Sequence, residues 1–197
     1  MGEDDQKTPY HHGDLRAALL TASEAELAER GIEAFSLRSV AKRAGVSHAA
    51  PAHHFGDVQG LLTALAASGY RRFLATQALH EGQAAPDPRA QLMAAGVGYV
   101  DFAMASPALF RLLFGSSRPE YGNPELQAAA EAAYAHLVAQ VGAAGGHDMT
   151  DIAAVWAMAH GLADLMAAGR LKGLEALDDA GRNAVVAALM ARALPTG

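Results

Sequence analysis

RSVAKRAGVSHAAPAHHF, residues 38–55, holds three cationic side chains, no acidic one, and three histidines within its last eight positions. Ser36 is placed to cap a short helix ending near Ala44, and Ser47 to cap a second running to about Phe55. Gly45 supplies the left-handed position between them. Two short helices across so tight a turn form either a helix-turn-helix, whose first helix braces the second for entry into a DNA major groove, or an ordinary helical hairpin with a solvated charged face. Leu37, Val40, Ala41, Ala44 and Val46 would make the inner face with Phe35 and Phe55, leaving Arg38, Lys42 and Arg43 outward. The histidines do not form a chelating set. His53 and His54 are adjacent and diverge around a helix, and His48 and His53 are five apart rather than four. Pro51 lacks an amide donor and biases Ala50 away from helical geometry, so the first turn of the second helix should be tightened.

Beyond this stretch the chain is acidic. Lys and Arg total 15 against 21 Asp and Glu, a formal charge of −6 over 197 residues, with Arg38, Lys42 and Arg43 unopposed between residues 36 and 55. A local basic patch on an acidic body can face a phosphate backbone while the body stays dispersed. The absence of cysteine removes disulfides, thiolate nucleophiles and sulfur-bound zinc. No apolar run approaches the roughly 20 residues of a membrane span, and the start MGEDDQKTPYHHGD is polar, so an unexported cytoplasmic protein is expected.

Alanine and leucine at three- and four-residue spacing predict an all-α chain of about nine helices. Asp14 can cap a first helix ending at Gly31, and a long helix should run from about Asp57 to Leu79. HEGQAAPDP, residues 80–88, is the candidate junction between two parts. Three capping residues each followed by proline then predict helices over 88–105, 107–114 and 124–142: Asp87 with Pro88, Ser106 with Pro107 and Asn123 with Pro124. Two more are expected over 150–169 and 178–193.

GIEAFSLRSVAKRAGVSHAAPAHHFGDVQGLLTAL, residues 31–65, resembles the DNA-binding domain of the tetracycline-repressor (TetR/AcrR) family. The likeness rests on the glycine ending helix 1, the hydroxyl start of helix 2, Val40-Ala41, Ala44-Gly45-Val46-Ser47, His54-Phe55 and Leu61-Leu62. It implies a flexible arm (1–12), a helix-turn-helix domain (13–56) and a C-terminal ligand-binding and dimerisation domain (57–197). It also implies a recognition helix over 48–54, with Arg38, Ser47, His48, Ala49, Ala50, Ala52, His53 and His54 facing DNA and Lys42 joining them. His48 and His53 can address base edges or phosphates, whereas the alanines offer methyl contact and close approach. The chain departs from the family pattern at two positions. Alanine replaces the usual tyrosine at 52, and Val58 stands where a lysine usually meets a phosphate. The paired histidines His11-His12, in the arm, would touch DNA backbone or solvent.

In DIAAVWAMAHGLADLMAAG, residues 151–169, Trp156, His160 and Asp164 are four apart and share a helical face. Trp156 is then either core, with His160 a satisfied buried histidine, or part of a polar handle in an apolar cavity. Trp156-x-x-x-His160-Gly161 resembles the tryptophan-histidine-glycine (WHG) type of C-terminal domain in the same family, and TPYHHGDLR, residues 8–16, resembles its N-terminal arm. The resemblance places an effector cavity among helices 4 to 8, with Tyr99, Phe102, Phe110, Phe114, Trp156 and His160 as candidate lining. Ala154, Ala157, Gly161, Ala168, Ala184, Ala187, Ala188 and Ala191 suit close helix approach, either within one chain or in a homodimer through helices 8 and 9.

The reading is a ligand-responsive transcriptional regulator, a repressor by family habit, with a pseudo-palindromic DNA operator and a small, largely apolar effector as partners. The alternative is a helical small-molecule-binding protein with weakened or lost DNA binding, motivated by Pro51, Ala52 and Val58. An enzyme is the poorest reading. No Walker loop, HExxH or nucleophile elbow is present, and no catalytic residue, metal or cofactor is nominated.

Overall fold

The structure, a computed structural model, describes residues 12–193 without the side chains of residues 12–14 and 175. Most of the expected arm, including His11, therefore lies outside the described residues. Within them the chain is all helix, with no strand. The N-terminal helices are α1 (His12–Arg30), α2 (Leu37–Ala44) and α3 (Ala50–Phe55), followed by α4 (Val58–Glu81). Then come α5 (Pro88–Ala105), α6 (Pro107–Gly115), α7 (Pro124–Ala143), α8 (Met149–Ala167), a single turn α9 (Lys172–Glu175) and α10 (Asp179–Ala193). The extra helix relative to the nine expected is α9, which forms in the turn around Gly173.

Most of the capping chemistry read from the sequence is present. Ser36 accepts from the Ser39 amide at 3.2 Å, and Gly45 is left-handed at φ 67°. Asp87 and Asn123 cap α5 and α7 through their side chains, and Asp57 and Asp148, for which no cap was expected, do the same for α4 and α8. Three expectations need correction. Because α1 begins at His12, Asp14 sits inside its first turn rather than at its cap. Ser106 precedes α6 but makes no capping bond; its hydroxyl instead accepts from Arg72 at 2.7 Å. Residues 82–87 do not separate two bodies, because α4 and α5 pack along one another and make this segment a turn within one helical assembly.

Helix α4 organises the rest. Leu61, Leu62 and Leu65 in its first half are buried, as are Tyr70, Phe73 and Gln77 in its second. It packs on α1 and α3 at one end and on α5, α6 and α7 along the remainder. Each fully buried leucine contributes about 1.5–3 kcal/mol relative to an exposed one. Near-complete burial over residues 61–70 explains why this stretch shows little amphipathic pattern, whereas Arg71, Arg72 and Leu79 mark a solvent face farther along.

The helix-turn-helix is fastened to α1 by a carboxylate. Glu26, 2% exposed, meets Arg43 at 3.0 Å and Arg30 at 3.1 Å, and Arg43 also pairs with Glu29. Burial opposes the charge on Glu26, but the neighbouring Ser39 hydroxyl, Arg43 and Arg30 together outweigh it and hold the carboxyl below its usual range. At the other side of α3, a Cβ on Gly60 would run into the Phe55 carbonyl oxygen, so only glycine lets the end of α3 sit this close to α4.

Two outcomes follow from these contacts. Glu26→Gln should destabilise the protein by about 2 kcal/mol at neutral pH, the scale of hydrogen bonds to charged groups. Since the folded carboxyl titrates below the unfolded one, the stabilisation is complete above the unfolded value near pH 4.3. It is lost as pH falls through the folded value, so melting curves of the two proteins should converge in acid. Gly60→Ala should raise amide exchange across residues 50–56 by about an order of magnitude, by local opening, and leave α5–α8 unchanged by mass spectrometry.

Candidate nucleic-acid interface and cavity

The recognition segment is shorter than expected. The span 48–54 divides into a turn and a helix, because Ala50 N–H donates to the Ser47 carbonyl at 3.1 Å and α3 proper starts at Ala50. Ser47 therefore closes the turn through its backbone rather than capping α3 with its side chain. Pro51 falls in the first helical turn, where its missing donor costs nothing, and is buried beneath it. The expected tightening is this three-residue turn.

Arg38, Lys42, Ser47, His48, Ala49, Ala52 and His53 are exposed, while Ala50 and His54 are half-buried. The rings of His53 and His54 stand edge to face, with centroids 5.5 Å apart. Arg38 and Lys42 make no ion pair among the described residues, unlike Arg43, whose charge is spent on Glu26 and Glu29. The free basic charge of the segment is thus smaller than its composition. Val58 packs partly against the core, and nothing but a methyl projects at Ala52.

The second site is a cavity of about 520 Å³ between α4, α5, α7 and α8, with the end of α6, the loop after it and α10 completing the wall. Tyr99, Phe114 and Trp156 line it. His160 lines instead a shallower cleft of about 280 Å³ with Phe114, Trp156, Ala153 and Ala157. Phe102 and Phe110 line neither. Phe102 packs behind the wall on Phe73 at 5.4 Å, and Phe110 fills the space between Phe114 and His160. Helical periodicity could show that these rings point inward, but a void and a packed core present the same pattern.

The spacing of Trp156 and His160 acquires a reason here. The Tyr99 hydroxyl and His160 Nδ1 are hydrogen-bonded at 2.9 Å, and the Trp156 indole makes a polar contact to the same hydroxyl. Burial nonetheless dominates and pushes the Tyr99 phenol well above its ordinary pKa, so it stays protonated. His160 is half-buried among Tyr99, Phe110 and Phe114, and Trp156 stays 41% exposed.

Several lining residues went unnoticed in the sequence. Tyr70 and Tyr121 both donate to the Leu113 carbonyl, at 3.0 and 2.8 Å, satisfying one of the open carbonyls at the end of α6. Tyr121 reaches the site from a loop pinned by the Glu120 amide to Thr63 at 2.9 Å. Gln77, His136 and Gln140 line the cavity as well. None carries a local signal, since they come from two helices and a loop.

Ion pairs tie this region to α1. Arg72 grips Glu24 through both carboxylate oxygens at 2.6 and 2.7 Å, with Ser106 joining them. Glu125, at the start of α7, bridges Arg71 at 2.9 Å and Arg16 at 3.2 Å. Among the described residues no single helix is long and apolar enough to cross a membrane.

Comparison with known proteins gives a consistent answer. Residues 19–65 match the model of bacterial regulatory proteins of the tetR family, and residues 92–193, over half the chain, match that of the tetracyclin repressor-like C-terminal domain. The HTH-type transcriptional regulator BetI of Burkholderia thailandensis is 35% identical over 95 residues, a match spanning 48% of this chain and 49% of that protein. A protein of unknown function from Rhodococcus sp. RHA1 is 36% identical, with a TM-score of 0.78, over 96% of this chain and 100% of that one. The multidrug binding protein EbrR, solved with imidazole, shares the fold at 18% identity and a TM-score of 0.63, over 100% of this chain and 99% of its own. The chain belongs to the TetR family of DNA-binding transcriptional regulators, which are regulators rather than enzymes.

Proposed function

We propose that this regulator is a cytoplasmic, effector-responsive repressor acting as a homodimer on a pseudo-palindromic operator. The observation that carries the reading is the sharing of α4. One end seats α3, and the other walls the cavity with Tyr70, Phe73 and Gln77. In this reading residues 13–56 contact DNA, preceded by the arm 1–12, and residues 57–197 bind effector and dimerise. An effector acts by preferring the conformation in which the two recognition helices are wrongly spaced for DNA.

Arg38, Lys42, Ser47, His48, Ala49, Ala50, Ala52, His53 and His54 form the DNA-facing set, with Arg38 and Lys42 as its free cations. Tyr99, Phe114 and Trp156 contact the effector, while His160 and the buried Phe102 and Phe110 hold those rings in place. The small, largely apolar character of the effector follows from the lining, and EbrR provides a precedent for small-molecule binding on this fold. The homodimer rests on an exposed stripe of small residues: Ala154, Ala157 and Ala168 on α8 and its end, and Ala184, Ala188 and Ala191 on α10, with Gly161 and Ala187 half-buried between them. Isologous pairing of two such faces buries them in a four-helix interface.

Binding to DNA from the region upstream of its own gene, measured against salt, tests the reading. Affinity should fall linearly in log salt, and Arg38→Ala and Lys42→Ala should each lower the slope by about one. Arg43→Ala should lower thermal stability while leaving the slope nearly unchanged, because its charge is already paired within the protein. Absence of salt-sensitive binding by the unmodified protein, together with its appearance in an Ala52→Tyr, Val58→Lys double variant, would support instead a small-molecule-binding protein that has lost its DNA contact.

A further inference from the structure

The cavity has two chemically different ends. Tyr70 and Gln77 are seven residues apart on α4, which separates them by about 10 Å along the helix axis. Helix α7 runs alongside in the same direction, since Glu125 meets Arg71 and His136 meets Glu81. Aromatic rings therefore gather at the Tyr70 end, where Phe73 stands edge-on to Tyr99 at 4.8 Å and Phe114 lies 5.6 Å from both Tyr70 and Phe73. Gln77, His136 and Gln140 gather at the other end.

That second end holds polar atoms that face the cavity with no protein partner among the described residues. Gln77 is 6% exposed, and its amide N–H donates to the Ala95 carbonyl at 3.2 Å, which fixes the orientation of the amide. Its Oε1 then has no partner among the described residues. His136 uses Nε2 on Glu81 at 2.7 Å, and among the described residues neither its Nδ1 nor the Gln140 amide has a partner. Facing the cavity with no protein partner, these atoms mark a place where a ligand group completes the set.

Charge narrows the class further. Among the described residues no Asp, Glu, Lys or Arg lines the cavity, and His136 is already paired with Glu81. An ionised ligand would be desolvated without a counter-charge. Edge-to-face pairs among Tyr70, Phe73, Tyr99 and Phe114 cover much of the ring surface a cation would use at this end.

We infer that the effector is an uncharged, elongated aromatic molecule ending in a hydroxyl group, its rings among Tyr70, Phe73, Tyr99 and Phe114 and its hydroxyl donating to Gln77 Oε1 and accepting from Gln140. The inference rests on the cavity being the effector site. Gln77 and Gln140 set the preference for the hydroxyl, and the rings supply most of the affinity.

The test titrates the full chain with four probes of one shape: 4-phenylphenol, biphenyl, biphenyl-4-carboxylate and biphenyl-4-yl-trimethylammonium. Trp156 is the only tryptophan in the chain and borders the cavity, so its fluorescence reports occupancy directly. 4-Phenylphenol should bind about tenfold more tightly than biphenyl, the scale of one satisfied buried hydrogen bond. It should exceed both charged probes by at least as much. Gln77→Leu should abolish the preference of phenol over biphenyl, and Gln140→Leu provides the same readout if the first variant fails to fold. Equal binding of phenol and biphenyl, or tightest binding of the ammonium probe, would overturn the inference while leaving the cavity as the effector site. If no probe changes either Trp156 emission or the melting temperature, the effector-site reading itself falls.

Discussion

The burial of α4 against different partners at its two ends is the constraint on which the other elements depend. A 24-residue helix is a stiff rod of about 36 Å, and this one is gripped at both ends by different partners. Leu61, Leu62 and Leu65 belong to the packing under the helix-turn-helix, whereas Tyr70, Phe73 and Gln77 belong to the cavity wall. Between them Arg71 and Arg72 point outward to Glu125 and Glu24, so the rod is also tied sideways to α7 and α1. One rod therefore carries the seat of α3 at one end and a wall of the cavity at the other. The close approach at Gly60 makes that seat intolerant of even a methyl group.

Electrostatics divide the basic segment by function. Its three cations look equivalent in sequence, but Arg43 is committed to holding α2 against α1 through Glu26 and Glu29. Arg38 and Lys42 remain toward solvent. Ala52 and Val58 add neither a hydroxyl nor an ammonium, so the unpaired charge of the segment comes from Arg38 and Lys42 alone among its three cations.

The cavity follows from packing rather than from any local motif. Tyr99 draws Trp156 and His160 together, which gives the four-residue spacing on α8 a structural purpose. Tyr70 and Tyr121 converge on one carbonyl at the end of α6, although they are 51 positions apart in the chain. The polar end depends on Gln77, His136 and Gln140, which are ordinary surface residue types until α4 and α7 lie side by side.

The helices and their limits were legible in the amino-acid sequence because they are written locally: a capping side chain, a proline in the first turn, a glycine at the end. The family was legible for the same reason, since Ala44-Gly45-Val46-Ser47 and its neighbours encode one tight turn. The local code misled at Ser47 and Ser106, where the turn backbone and Arg72, respectively, decided what the serine does. Aromatic residues could be assigned to the interior, yet only the packed structure separated Phe102 and Phe110, buried in the core, from Tyr99, Phe114 and Trp156, which face a void. Periodicity records which way a side chain points. Whether it meets another side chain or an empty space depends on helices distant in the chain, and that was decided by tertiary packing alone.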